Sequence, residues 1–133
     1  MELLNLDVLL FFSEHPEALP IYEALAAHIF RVWPETEDRV GKTQISFYGK
    51  HVFACVSFAR VLRKAALPPV YLVLTLGLPA PLDSPRVAVR VEPYPGRWTH
   101  HIVVSRPEEL DEELISWIRA SYDFADRKRG RTR

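Results

Sequence analysis

The chain has 133 residues, 48% hydrophobic and 26% charged, an ordinary globular balance that excludes wholesale disorder. No apolar run approaches the ~18 residues of a membrane span, no basic segment precedes Val8 to Phe12 as a signal peptide requires, and one cysteine, Cys55, excludes a disulfide framework. Net charge is zero but segregated, with residues 1–38 summing to −7, 39–106 to +8, 107–126 to −6 and 127–133 to +5, a pattern that creates a local field without a basic pI.

Leu6 to Phe12 forms a short apolar turn or helix, ended by Ser13-Glu14-His15-Pro16. A helix near 16–33 follows, since Leu19, Tyr22, Leu25, Ala26, Ile29, Phe30 and Trp33 recur at spacings of three and four. The period then changes to two. Thr43, Ile45 and Phe47 alternate with Gln44, Ser46 and Tyr48, Gly49-Lys50 is a turn candidate, and His51 to Ala59 resumes an extended pattern, so 43–59 reads as a hairpin. Arg60 to Leu67 is a helical turn or basic loop before Pro68-Pro69. Val70 to Leu78, nearly all apolar, reads as a central strand covered on both faces. In Arg86 to Glu92 the alternation puts Val87, Val89 and Val91 inward and Arg86, Ala88, Arg90 and Glu92 outward. After the turn Pro93 to Gly96, Trp98 to Ser105 is the last strand. A closing helix near 107–125 starts with capping-box spacing at Ser105 and Glu108 and packs through Leu110, Leu114, Trp117, Ile118, Ser121 and Ala125. The basic run from Arg127 has no apolar residue and is expected to be disordered. The fold class is thus α+β: a mainly antiparallel sheet of about five strands, with N- and C-terminal helices on one face, in a single domain over 1–126 with a tail at 127–133. That arrangement leaves one sheet face free for function.

Two segments carry candidate chemistry. Gln44, Ser46 and Tyr48, beside Lys42, project together and offer hydrogen bonds in a row. Arg97, Trp98, His100 and His101 combine charge, a stacking surface and imidazoles that titrate near neutrality. Neighbouring strand residues face opposite ways, so His100 and His101 do not share a site and one of them is structural. The same alternation argues against a metal site. Cys55 lies in an apolar strand and reads as an inert thiol, with His51 ~13 Å along the strand and too far for a dyad.

Phe11 to Tyr22, Lys42 to Tyr48 and Arg97 to His101, with Asp111 and Trp117, resemble a family of small bacterial domains of unknown function over roughly 8–125. The resemblance implies that these segments are family-defining patterns and supplies no catalytic residue.

The residues point to a cytoplasmic, non-catalytic module whose basic sheet surface binds nucleic acid or, second, a small anionic ligand, without a cofactor or membrane. Lys42, Arg86, Arg90 and Arg97 supply charge, Arg86 and Arg90 as an outward pair around Ala88. Gln44, Ser46 and Tyr48 supply hydrogen bonds, and Trp98 stacks. An enzyme using His100 or His101 as general base on a small anionic substrate, and a protein-interaction subunit or homodimer, are the competing readings.

Overall fold

A computed structural model describes residues 6–127. The elements in chain order are helix α1 (Leu6–Phe11), α2 (Leu19–Val32), strands β1 (Glu37–Val40), β2 (Gln44–Tyr48), β3 (Val52–Ser57), β4 (Leu72–Leu78), β5 (Val87–Tyr94) and β6 (Arg97–Val104), and α3 (Glu112–Asp126). The strands form one antiparallel sheet in the order β1-β2-β3-β4-β6-β5, so the fold is α+β with six strands.

The additional strand is β1, whose Glu-Asp-Arg-Val carries too little apolar periodicity to be read, and which charges the sheet edge. Helix α2 begins later than expected, after a 3₁₀ turn at Pro16–Ala18, because Pro20 has no N–H to give and is tolerated only in a first turn. At the other end the Ser105–Glu108 box does not form. Ser105 instead donates from its amide and hydroxyl to the Glu109 carboxylate at 2.9 and 3.0 Å, and a 3₁₀ turn spans Pro107–Glu109. Asp111 caps α3, accepting the Leu114 amide at 3.0 Å. Lys128 to Arg133, most of the expected tail, lie outside the described residues, while Arg127 closes α3 with an amide bonded to Asp123 and Ala125 carbonyls.

Both long helices pack on one sheet face. Ile45, Phe47, Leu72, Leu74, Leu76 and Ile102 meet Ile21, Tyr22, Leu25 and Ile29 of α2 and Leu114 and Ile118 of α3, all buried in one cluster. The opposite face begins as the row Arg39, Ser46, Cys55, Thr75, His101 and Val89, which are register partners from β1 across to β5. That face is not bare throughout: Val73 lies on it, as a partner of Ser57 and Val103, yet is fully buried.

Bulges decide which side chains reach each face. On β5, Val87 pairs Ile102 but Val89 pairs His101, so Ala88 is an extra residue. The alternation reverses there: Val89 and Val91 face away from the helices, and Arg90 pairs with His100 on the helix side. Arg86 precedes the strand and reaches the start of α3, donating to Asp111 at 2.9 Å, Glu113 at 3.1 Å and the Glu109 carbonyl at 2.8 Å. The expected outward pair of Arg86 and Arg90 on the free face is therefore corrected. Since Asp111 caps the helix and also holds Arg86, Asp111→Ala is expected to lower the melting temperature by a few degrees, and Glu112→Ala next to it much less, in a thermal melt at pH 7.

Candidate functional site

A second bulge sits on β3. Phe47 pairs Ala54 and Tyr48 pairs Val52, which leaves Phe53 extra. Its ring turns into the helix layer, 5.5 Å from Trp33 and 4.9 Å from Tyr122. The bend parts β3 from β4. The two strands pair at Ser57/Val73, Val56/Leu74 and Cys55/Thr75, and the pairing stops there. Continuing the register would place Phe53 opposite Gly77. In place of a direct backbone bond, the buried Ser121 hydroxyl of α3 bridges them, donating to the Phe53 carbonyl at 2.7 Å and accepting the Gly77 amide at 3.1 Å.

A small cavity of about 40 Å³ occupies the parting, lined among others by Cys55, Thr75, Gly77, Arg97 and Ser121. Arg97 lies over Gly77 on the helix-free face: a Cβ at Gly77 would fall 2.6 Å from its guanidinium carbon. Arg97 is half-buried, and its guanidinium makes no ion pair or side-chain hydrogen bond among the described residues. No carboxylate lines the cavity. Alongside, Thr75 Oγ1 and His101 Nδ1 are 2.9 Å apart, and burial holds the His101 imidazole below the ordinary histidine range. Cys55 Sγ is 3.5 Å from both Ser46 Oγ and Gln44 Nε2. Burial pushes its thiol up, more than the Ser46 hydrogen bond and the Arg97 charge pull it down, so it is a protonated thiol at neutral pH.

Four expected residues, Gln44, Ser46, Arg97 and His101, thus share the helix-free face. Tyr48 is on it too, at the β1 edge under the Arg39 guanidinium, 3.8 Å from its ring centroid. Lys42, in the β1–β2 turn, lies at the rim of an open groove of about 930 Å³ with Phe11, His15 and Phe58. That groove is much larger than the cavity, but Asp7 and Glu14 line it against one ammonium, which makes it a poor anion site. The remaining expected residues are elsewhere. Trp98 pairs Leu78 and His100 pairs Leu76, on the helix side. His100 is the fully buried member of the two: its Nε2 accepts the Leu82 amide at 3.0 Å while Nδ1 has no hydrogen-bond partner, and burial holds its imidazole low. Arg90 is exposed next to it, and Arg86 is neutralised by its carboxylates.

Thr75, Gly77, Cys55 and Ser121 were not among the expected site residues. One signal for the first two exists in the sequence: Thr75 and Gly77 break the apolar run Val70 to Leu78 at alternate positions, on one face. Nothing local marks Ser121, which the helical stripe already explains as packing. Among the described residues no three His, Cys, Asp or Glu gather as a metal site would need, and no helix is long and apolar enough to cross a membrane.

Comparison with curated proteins gives no match, and neither does comparison with solved structures. A family model, described as a domain of unknown function, matches residues 10–125, a span that holds both helices of the core and all six strands. By that match the chain belongs to the family Domain of unknown function (DUF5655).

Proposed function

We propose that this protein is a binding module that takes a small anionic ligand on its helix-free sheet face, with Arg97 as the charged anchor. One observation carries the reading: the half-buried Arg97 has no carboxylate partner among the described residues and borders a cavity whose mostly apolar lining includes the Thr75 and Ser121 hydroxyls and the Cys55 thiol. Charges withdrawn from water are ordinarily paired, and an unpaired one is stabilised when a ligand supplies the counter-charge. Gln44, Ser46, Thr75 and His101 add hydrogen bonds on the same face. A small ligand is favoured over nucleic acid because Arg86 is held by Asp111 and Glu113 and Arg90 belongs to the other face, so neither extends Arg97 into a track for phosphates.

The test is an amide-shift NMR titration of the ¹⁵N-labelled protein with acetate, inorganic phosphate, citrate and a single-stranded oligonucleotide. At least one small anion is expected to move the amides of β3, β4 and β6 together, and Arg97→Gln to weaken it about tenfold or more, as loss of a charge-assisted hydrogen bond does. Response to the oligonucleotide alone, or to none of the four, overturns the reading.

A further inference from the structure

Resting on that reading, we infer that the parting between β3 and β4 is a pocket for the carboxylate group of the ligand. Size is the first argument. A cavity of about 40 Å³ is some three times the ~10–15 Å³ that one water needs. That is room for about three heavy atoms, the count of a planar carboxylate, and is tight for a tetrahedral group of five. Shape is the second. The planar fork of a guanidinium matches carboxylate geometry in two parallel hydrogen bonds. Here the fork can lie flat on the sheet only because residue 77 has no side chain, since a Cβ there would be 2.6 Å from the guanidinium carbon and 2.7 Å from one of its nitrogens.

Donor chemistry is the third argument. His101, held neutral by burial, carries one ring proton. With that proton on Nδ1 it donates to Thr75 Oγ1 across the 2.9 Å contact, which leaves the Thr75 hydroxyl proton free to donate into the cavity. The protonated Cys55 thiol is a second, weaker donor. Among apolar side chains, the cavity then has a cation and neutral donors and, among the described residues, no competing carboxylate, the complement of an anion with two acceptor oxygens. The opening itself is built into the chain by the Phe53 bulge and kept by the Ser121 bridge, so the pocket is formed before any ligand arrives.

Acetate and inorganic phosphate are the probes, titrated into the wild type, Thr75→Val and Gly77→Ala at matched ionic strength and read at the Thr75, Gly77 and Phe53 amides. Acetate is expected to shift all three in the wild type and to bind at least fivefold more tightly than phosphate. Thr75→Val, close in shape and favourable in a strand, is expected to weaken acetate about five- to tenfold. Gly77→Ala, which pushes the guanidinium off the sheet, should abolish the acetate response. Anion binding on this face with those three amides unmoved, or with acetate unaffected by Thr75→Val, refutes the pocket and leaves the anion-binding reading standing. Silence of both anions in a wild type whose face also ignores citrate removes the reading and the pocket together.

Discussion

Replacing Ser121 with alanine is expected to destabilise the protein by about 3 kcal/mol, an effect far beyond what loss of one hydroxyl on a helix suggests. Ser121 is buried, and its hydroxyl satisfies two backbone groups at once, the Phe53 carbonyl and the Gly77 amide, on strands that no longer pair with one another. Each buried backbone group left without a partner costs about 1–3 kcal/mol. The parting keeps Phe53 and Gly77 apart, so closing it to restore a direct bond would drag the Phe53 ring out from Trp33 and Tyr122. Ser116→Ala is the control. Its hydroxyl donates to the Glu113 carbonyl at 2.7 Å on the exposed side of the same helix, and its loss is expected to stay within about 0.5 kcal/mol. Urea unfolding of both variants makes the comparison. If Ser121→Ala unfolds at the wild-type urea midpoint, the strands are able to close without the bridge, and the pocket is not permanent.

Stability is expected to fall steeply as pH drops below about 6.5, the ordinary histidine range, well before any carboxylate protonates. His28, His100 and His101 are all held below that range, in each case chiefly by burial, with Arg31 and Arg119 adding to the effect at His28. The unfolded chain therefore takes up protons at these positions before the folded chain does. Where the unfolded state binds more protons, stability rises with pH; these groups contribute fully above about pH 6.5 and progressively less below it, until the folded imidazoles protonate too. Each contributes a slope of at most about 1.4 kcal/mol per pH unit. Asp111, whose carboxylate is held low by the Leu114 amide and then by Arg86, acts in a separate window, its contribution present above the usual carboxylate range and lost under acid conditions. Urea unfolding at pH 7.5, 6.5, 5.5 and 4.5 resolves the two. His100→Gln, which keeps an acceptor for the Leu82 amide but does not titrate, should flatten the upper window by one proton's share. An unchanged slope in that variant would show that His100 takes up its proton in the folded protein as readily as in the unfolded one.

Much of this architecture is legible in the residues one after another. The three- and four-residue spacing of Leu19 to Trp33 and Leu114 to Ala125 requires helices with one apolar face. The alternation at Gln44 to Tyr48 and the largely apolar run at Val70 to Leu78 require strands, and a connection as short as Gly49 to His51 forces an antiparallel pair. Strand alternation likewise separates His100 from His101. These are local consequences of backbone geometry, and each residue reports them through its own neighbours.

What tertiary structure decided was the identity of the residues that meet. A bulge shifts the count of side chains by one, and a sequence carries no mark of which partner residue is skipped. That is why the even spacing of Arg86 and Arg90 pointed to the wrong face: Ala88 is skipped, and the start of α3 offers Arg86 a better position among Asp111, Glu113 and Glu109 than water does. Likewise Cys55, Thr75 and His101 are far apart in the chain and become neighbours only because β4 pairs with β3 on one side and with β6 on the other. Ser121 enters the site through the face of a helix, on a stripe whose periodicity signals packing alone. Periodicity fixes the direction in which a side chain points, whereas a site depends on which elements lie side by side, and that is settled by burial of the whole core.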